Sequence, residues 1–180
     1  MSNDVDSFGT FYSFHKVNEK NPIIFIHGVG LTKEIWEPQI NFFKEHNTLT
    51  YDLLGHGKTP LKKSQVSFED FSDQLLNLIN ELSFSKIHLV GFSLGGLIAR
   101  HFASKHSDRL SSLIIHGSIY KRTEDQKRVV KNRFEMARNL SKVVQRSKFV
   151  EIKKGKHLCS IECVDDVNII FKEFIDKNNG

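Results

Sequence analysis

The hexapeptide Gly91-Phe92-Ser93-Leu94-Gly95-Gly96 holds the residue types that nucleophilic catalysis requires, a serine with small residues two positions before and two after it. A serine hydroxyl is a weak nucleophile. It needs a base to take its proton and donors to hold the negative charge that develops on the attacked carbonyl. In a G-x-S-x-G turn the serine is held in a strained backbone conformation between strand and helix, and the glycines let those two elements approach closely. The apolar run Ile87-His88-Leu89-Val90 before it and the helical pattern after it supply that context. Such a turn exposes the Ser93 hydroxyl at the carboxyl end of a sheet. It also aims the Leu94 N–H, at a helix N-terminus, toward a developing oxyanion.

Two further turns stand upstream. Ile23-Ile24-Phe25-Ile26 runs into His27-Gly28-Val29-Gly30, where glycines let the backbone turn its amides into a cleft, so the Val29 N–H is the expected second oxyanion donor. His27 is expected to be structural. Asp52-Leu53-Leu54-Gly55-His56-Gly57 reads as a tight glycine turn with a capping aspartate, and Asp52 and His56 are expected to hold it together.

The elements that must carry these turns follow from periodicity. Short β-rich apolar runs alternate with longer helical patterns, which predicts an α/β fold with a mostly parallel sheet and flanking helices. The expected strands are Ile23–His27, Thr48–Asp52, Ile87–Gly91, Leu113–His116 and Phe149–Ile152, with Phe11–His15 as an antiparallel edge. Phe68, Phe71, Leu75, Leu78 and Leu82 recur at helical spacing after Ser67, which can form a capping box with Asp70. Leu94–Lys105 and Asp165–Lys177 read as helices, the second with Val167, Ile170, Phe171 and Phe174 on one side.

Length and composition bound the class. At 180 residues, 39% apolar and 26% charged, the chain is expected to form one domain, 1–180. Disorder is not expected except at the ends; Met1–Thr10 is polar and acidic, and with no secretory pattern and no span-length apolar segment, the reading is a cytoplasmic protein. Cys159 and Cys163 are too few for a disulfide framework, so reduced thiols are expected. The net charge of +5 is concentrated: residues 121–148 hold ten Lys or Arg against Glu124, Asp125 and Glu135, which leaves −2 for everything else. That distribution argues against a nucleic-acid-binding face spread over the domain.

The three motifs together, in this order and spacing from about Pro22 to Ser118, resemble the α/β-hydrolase family, in its cofactor-independent branch with an HGxG turn, a D-x-x-G-H-G loop and a GFSxGG elbow. The resemblance implies a helix over Trp36–Phe43 and a Ser107-Asp108-Arg109-Leu110 step before the next strand. It implies the chain order nucleophile, acid, histidine, and it makes His157, after Phe149–Ile152 and Gly155-Lys156, the general base among nine histidines. No cofactor and no metal are implied; His157, Cys159 and Cys163 without a second ligand pair are a poor zinc set.

One part of the family pattern is missing. Between Gly117 and Phe149 the residues read as one basic helix, with no apolar strand and no Gly-x-x-Asp turn, so 119–148 is expected to be a reduced cap or linker and the sheet one strand short. Glu124 and Asp125 stand where some family members place an alternative acid. The leading reading is a serine hydrolase of a small, partly apolar ester or related acyl substrate, with Leu31, Trp36, Phe92 and Leu94 near the cleft. The alternative is a catalytically impaired or non-catalytic relative lacking the triad acid. A third reading makes the basic segment 121–148 a dock for an acidic partner, such as an acyl-carrier protein or anionic lipid.

Overall fold

A computed structural model describes residues 2–117, 148, 150–152 and 158–178. Among the described residues there are six strands, β1 (Ser2–Val5), β2 (Phe11–His15), β3 (Ile23–Ile26), β4 (Thr48–Tyr51), β5 (Ile87–Phe92) and β6 (Leu110–His116). They lie in one sheet in the order β1-β2-β4-β3-β5-β6. Pairs β4–β3, β3–β5 and β5–β6 are parallel, while β1–β2 and β2–β4 are antiparallel.

The helices are α1 (Glu37–Phe42), α2 (Phe68–Glu81), α3 (Leu94–Lys105), α4 (Cys159–Glu162) and α5 (Val164–Asp176), with a 3-10 turn over Lys33–Trp36 leading into α1. They cover both faces of the sheet, and this explains why β3 is apolar at every position: all four of its residues are buried. On one face Ile24, Ile26, Leu49 and Leu89 pack with Leu75 and Leu78 of α2 and Ile98 and Phe102 of α3. On the other, Ile23, Phe25, Val90 and Phe92 pack with Trp36, Phe43 and the α5 stripe Val167, Phe171 and Ile175. The expected capping box is present at α2, with Ser67 and Asp70 satisfying each other's backbone donors.

Two expectations are corrected. The polar opening residues are ordered as β1, the outermost strand, so β2 is an inner strand rather than the edge. An outer strand pairs by backbone ladder alone and needs no apolar pattern, which is why Ser2–Val5 escaped notice. Val150, Glu151 and Ile152 form no strand, although Phe149–Ile152 was expected to. A short apolar run becomes a strand only where a neighbour completes its ladder, and no described strand pairs with it. Phe149 itself and the segment 118–147 lie outside the described residues.

Candidate active site

Ser93 stands at the junction of β5 and α3, with φ 52° and ψ −112°. Positive φ is costly for any residue with a Cβ, on the order of 1–3 kcal/mol, and persists only where surrounding structure enforces it. Here the enforcement is visible. A Cβ on Gly91 would overlap the Gly95 carbonyl, and one on Gly95 would overlap the carbonyl oxygens of Ile26 and His27. The backbone is tied down as well: Ser93 N–H donates to the His116 carbonyl of β6 at 3.0 Å, and the Ser93 carbonyl accepts from Gly96 N–H at 3.0 Å. Although Ser93 occupies the N-cap position of α3, its hydroxyl makes no capping bond. Leu94 is the first residue of α3, so its N–H has no acceptor one turn back and remains available.

The end of β3 lies against this elbow. A Cβ at Gly28 would come within 3.0 Å of the Phe92 ring and 3.2 Å of Ser93 Cβ. From Gly28 the chain turns back, with Leu31 N–H donating to the Gly28 carbonyl at 3.3 Å and Gly30 at φ +72°. Val29 is at the tip, 69% exposed, and its N–H has no partner among the described residues. Leu31 is half-buried.

His27 is fully buried and structural in its contacts. Its Nδ1 meets the Gly28 carbonyl at 2.8 Å, and its Nε2 meets Leu53 N–H at 3.0 Å. A carbonyl only accepts and an amide N–H only donates, so the ring is the neutral tautomer with the proton on Nδ1. Burial, above all, holds the His27 pKa below its ordinary value, and the nearby His56 works in the same direction.

The loop after β4 is organised by Asp52, whose two carboxylate oxygens accept from Lys33 N–H at 2.8 Å and Lys58 N–H at 2.9 Å. Gln74 of α2 closes it, donating to the Asp52 carbonyl at 3.0 Å and accepting from Leu54 N–H at 3.2 Å. His56 ties to the Leu54 carbonyl at 3.0 Å.

Of the expected cleft residues, Trp36 and Phe92 are buried. Trp36 is 0% exposed and stacks on Phe25 with ring centroids 5.0 Å apart, and Phe92 is 1% exposed against His116. Strand alternation sends Phe92 to the face shared with Val90 and α5, the cluster in which Trp36 also packs. His157, Glu124 and Asp125 fall outside the described residues, as does most of the basic segment 121–148. Cys159 and Cys163 are both free; Cys159 is buried with Sγ 3.5 Å from His116 Nε2, a contact no sequence spacing announced. Burial pushes the Cys159 thiol up to about 11, which makes it a poor nucleophile at neutral pH.

Comparison with known proteins places this geometry. A family model described as alpha/beta hydrolase fold matches residues 21–162. An (E)-2-((N-methylformamido)methylene)succinate hydrolase from Acinetobacter baylyi is 30% identical over 123 residues, covering 68% of this chain and 47% of that protein. A 3-oxoadipate enol-lactonase from the same organism is 29% identical over 100 residues, 55% of this chain and 37% of the lactonase. The chain thus spans less than half the length of these curated relatives. A solved structure of a thermophilic esterase from Thermogutta terrifontis, with malate bound, superposes with a TM-score of 0.78 at 18% identity over 100% of both chains, a likeness of fold.

Proposed function

The chain belongs to the alpha/beta hydrolase fold family, and we propose that it acts as a serine hydrolase on a small, partly apolar carboxylic ester or related acyl substrate. The observation that carries the proposal is Ser93, held at φ 52° by enforced backbone contacts with its hydroxyl unspent on capping, beside the turn that presents Val29. The relatives described above are a hydrolase and a lactonase, both enzymes that open a bond with water, which supports the same class for this chain.

In the proposed mechanism Ser93 Oγ attacks the substrate carbonyl while His157 takes its proton. The negative charge that moves onto the carbonyl oxygen is held by the N–H groups of Leu94 and Val29, which act in a site where little reorganisation is needed. His157 then returns the proton to the leaving group; in the second half water attacks the acyl-enzyme carbonyl while His157 takes its proton, the bond to Ser93 Oγ breaks, and the proton passes to that oxygen. Leu31, half-buried beside the turn, is proposed to contact the acyl chain. The reading takes residues 1–180 as one hydrolase domain in the cytoplasm, with 119–148 as a reduced cap whose basic stretch 121–148 could meet an acidic partner. Among the described residues no helix is long and apolar enough to cross a membrane.

The test is pre-steady-state hydrolysis of 4-nitrophenyl acetate. A burst of roughly one equivalent of 4-nitrophenol, abolished in Ser93→Ala, is the expected result. Absence of both burst and turnover from folded protein would overturn the proposal.

A further inference from the structure

The Gly28–Val29 peptide is a single plane. Among the described residues no peptide bond is cis, so its carbonyl and its N–H point in opposite directions. Whatever holds the Gly28 carbonyl therefore aims the Val29 N–H the other way. Two donors hold it: Leu31 N–H across the turn at 3.3 Å, and His27 Nδ1–H at 2.8 Å. The second is shorter and comes from a fully buried ring. That ring is itself anchored on its far side by Leu53 N–H, so it cannot swing without orphaning a backbone donor.

Resting on the serine-hydrolase reading of Val29, we propose that His27 is a positioning residue, whose Nδ1–H sets the orientation of the Gly28–Val29 peptide and so aims the oxyanion donor. The arrangement also couples two loops, because the Leu53 N–H that fixes the ring belongs to the Asp52–Gly57 turn, which Asp52 and Gln74 hold rigid. The charged and titratable groups around the imidazole are His56, with ring centroids 5.3 Å away, Asp52 and Glu34. Its lowered basicity agrees with a ring that must stay neutral to serve both partners.

Two substitutions separate the two nitrogens. His27→Asn places an amide near the Nδ1 position and can still donate to the Gly28 carbonyl, but it no longer reaches Leu53. His27→Gln reaches Leu53 N–H with its amide oxygen, but it loses the short donor to Gly28. Each leaves one buried partner behind, so a purely structural histidine would respond to both alike. The proposal expects kcat for 4-nitrophenyl acetate to fall about 100-fold in His27→Gln, with KM little changed, the size of effect that follows loss of an oxyanion donor. It expects His27→Asn to stay near the wild-type rate. Equal losses in both variants, or none in either, would overturn it. Crystal structures give a readout that does not depend on activity: the Gly28–Val29 peptide should keep its orientation in His27→Asn and turn in His27→Gln. A peptide unmoved in His27→Gln would overturn the proposal. A wild-type protein that cleaves no ester would instead overturn the hydrolase reading, and the two crystal structures would still decide the role of His27.

Discussion

The two glycine-built turns that converge on Ser93 are held by different physics. At the elbow, Gly91 and Gly95 let backbone meet backbone, and neither side can retreat. At the end of β3, the turn over residues 28–31 is open: nothing lies within 4 Å of a Cβ at Gly30, and the Gly28 carbonyl is held by one ring N–H and one backbone N–H. Close packing fixes the backbone at the proposed nucleophile, whereas one ring N–H and one amide N–H on the Gly28 carbonyl set the direction of the proposed oxyanion donor.

Substitutions can break that contrast, beginning at the elbow. Gly95→Ala forces a Cβ into the Ile26 and His27 carbonyls, which only movement of α3 away from β3 can relieve, so a loss of about 4 kcal/mol or more in chemical denaturation is expected. An unfolding midpoint close to wild type would mean the elbow is not packing-locked. Gly28→Ala meets only the Phe92 ring and Ser93 Cβ at 3.0–3.2 Å, so about 1–3 kcal/mol is expected together with impaired ester turnover, as the turn is pushed off the elbow. Gly30→Ala meets no atoms but must adopt φ +72°, and about 1 kcal/mol of strain is its whole expected cost.

The smallest effect is on pH dependence. Because the folded state holds the His27 pKa below the ordinary value near 6.5, the unfolded chain binds more protons in the interval between the two. Stability is then complete above about pH 6.5 and declines as pH falls toward the folded value. His46, lowered by burial and then by Lys172, adds a slope of the same sign. Thermal unfolding of His27→Asn across this range should show a shallower acid decline than wild type. An unchanged slope would assign the acid sensitivity to His46 and other groups instead.

Much of this was legible in the sequence, and the parts that were not share a cause. The elbow, both glycine turns, the α2 capping box and the bounds of α3 were readable because each depends on residues a few positions apart. Asp52 was readable as a structural cap, yet its partner Lys33 N–H lies nineteen positions away, and only the fold brings them together. Trp36 and Phe92 flank the motifs in sequence, but the packing partners they take, Phe25 and α5, are set by the fold. β1 and the absent ladder at Val150–Ile152 depend on neighbouring strands, which composition does not reveal.

The central claim is that Ser93 is an assembled nucleophile, and intact-protein mass measurement after treatment with a fluorophosphonate tests it most directly. One adduct on the folded wild-type protein and none on Ser93→Ala is the predicted result. A folded wild-type protein that stays unmodified, or a Ser93→Ala variant that reacts equally well, would contradict it.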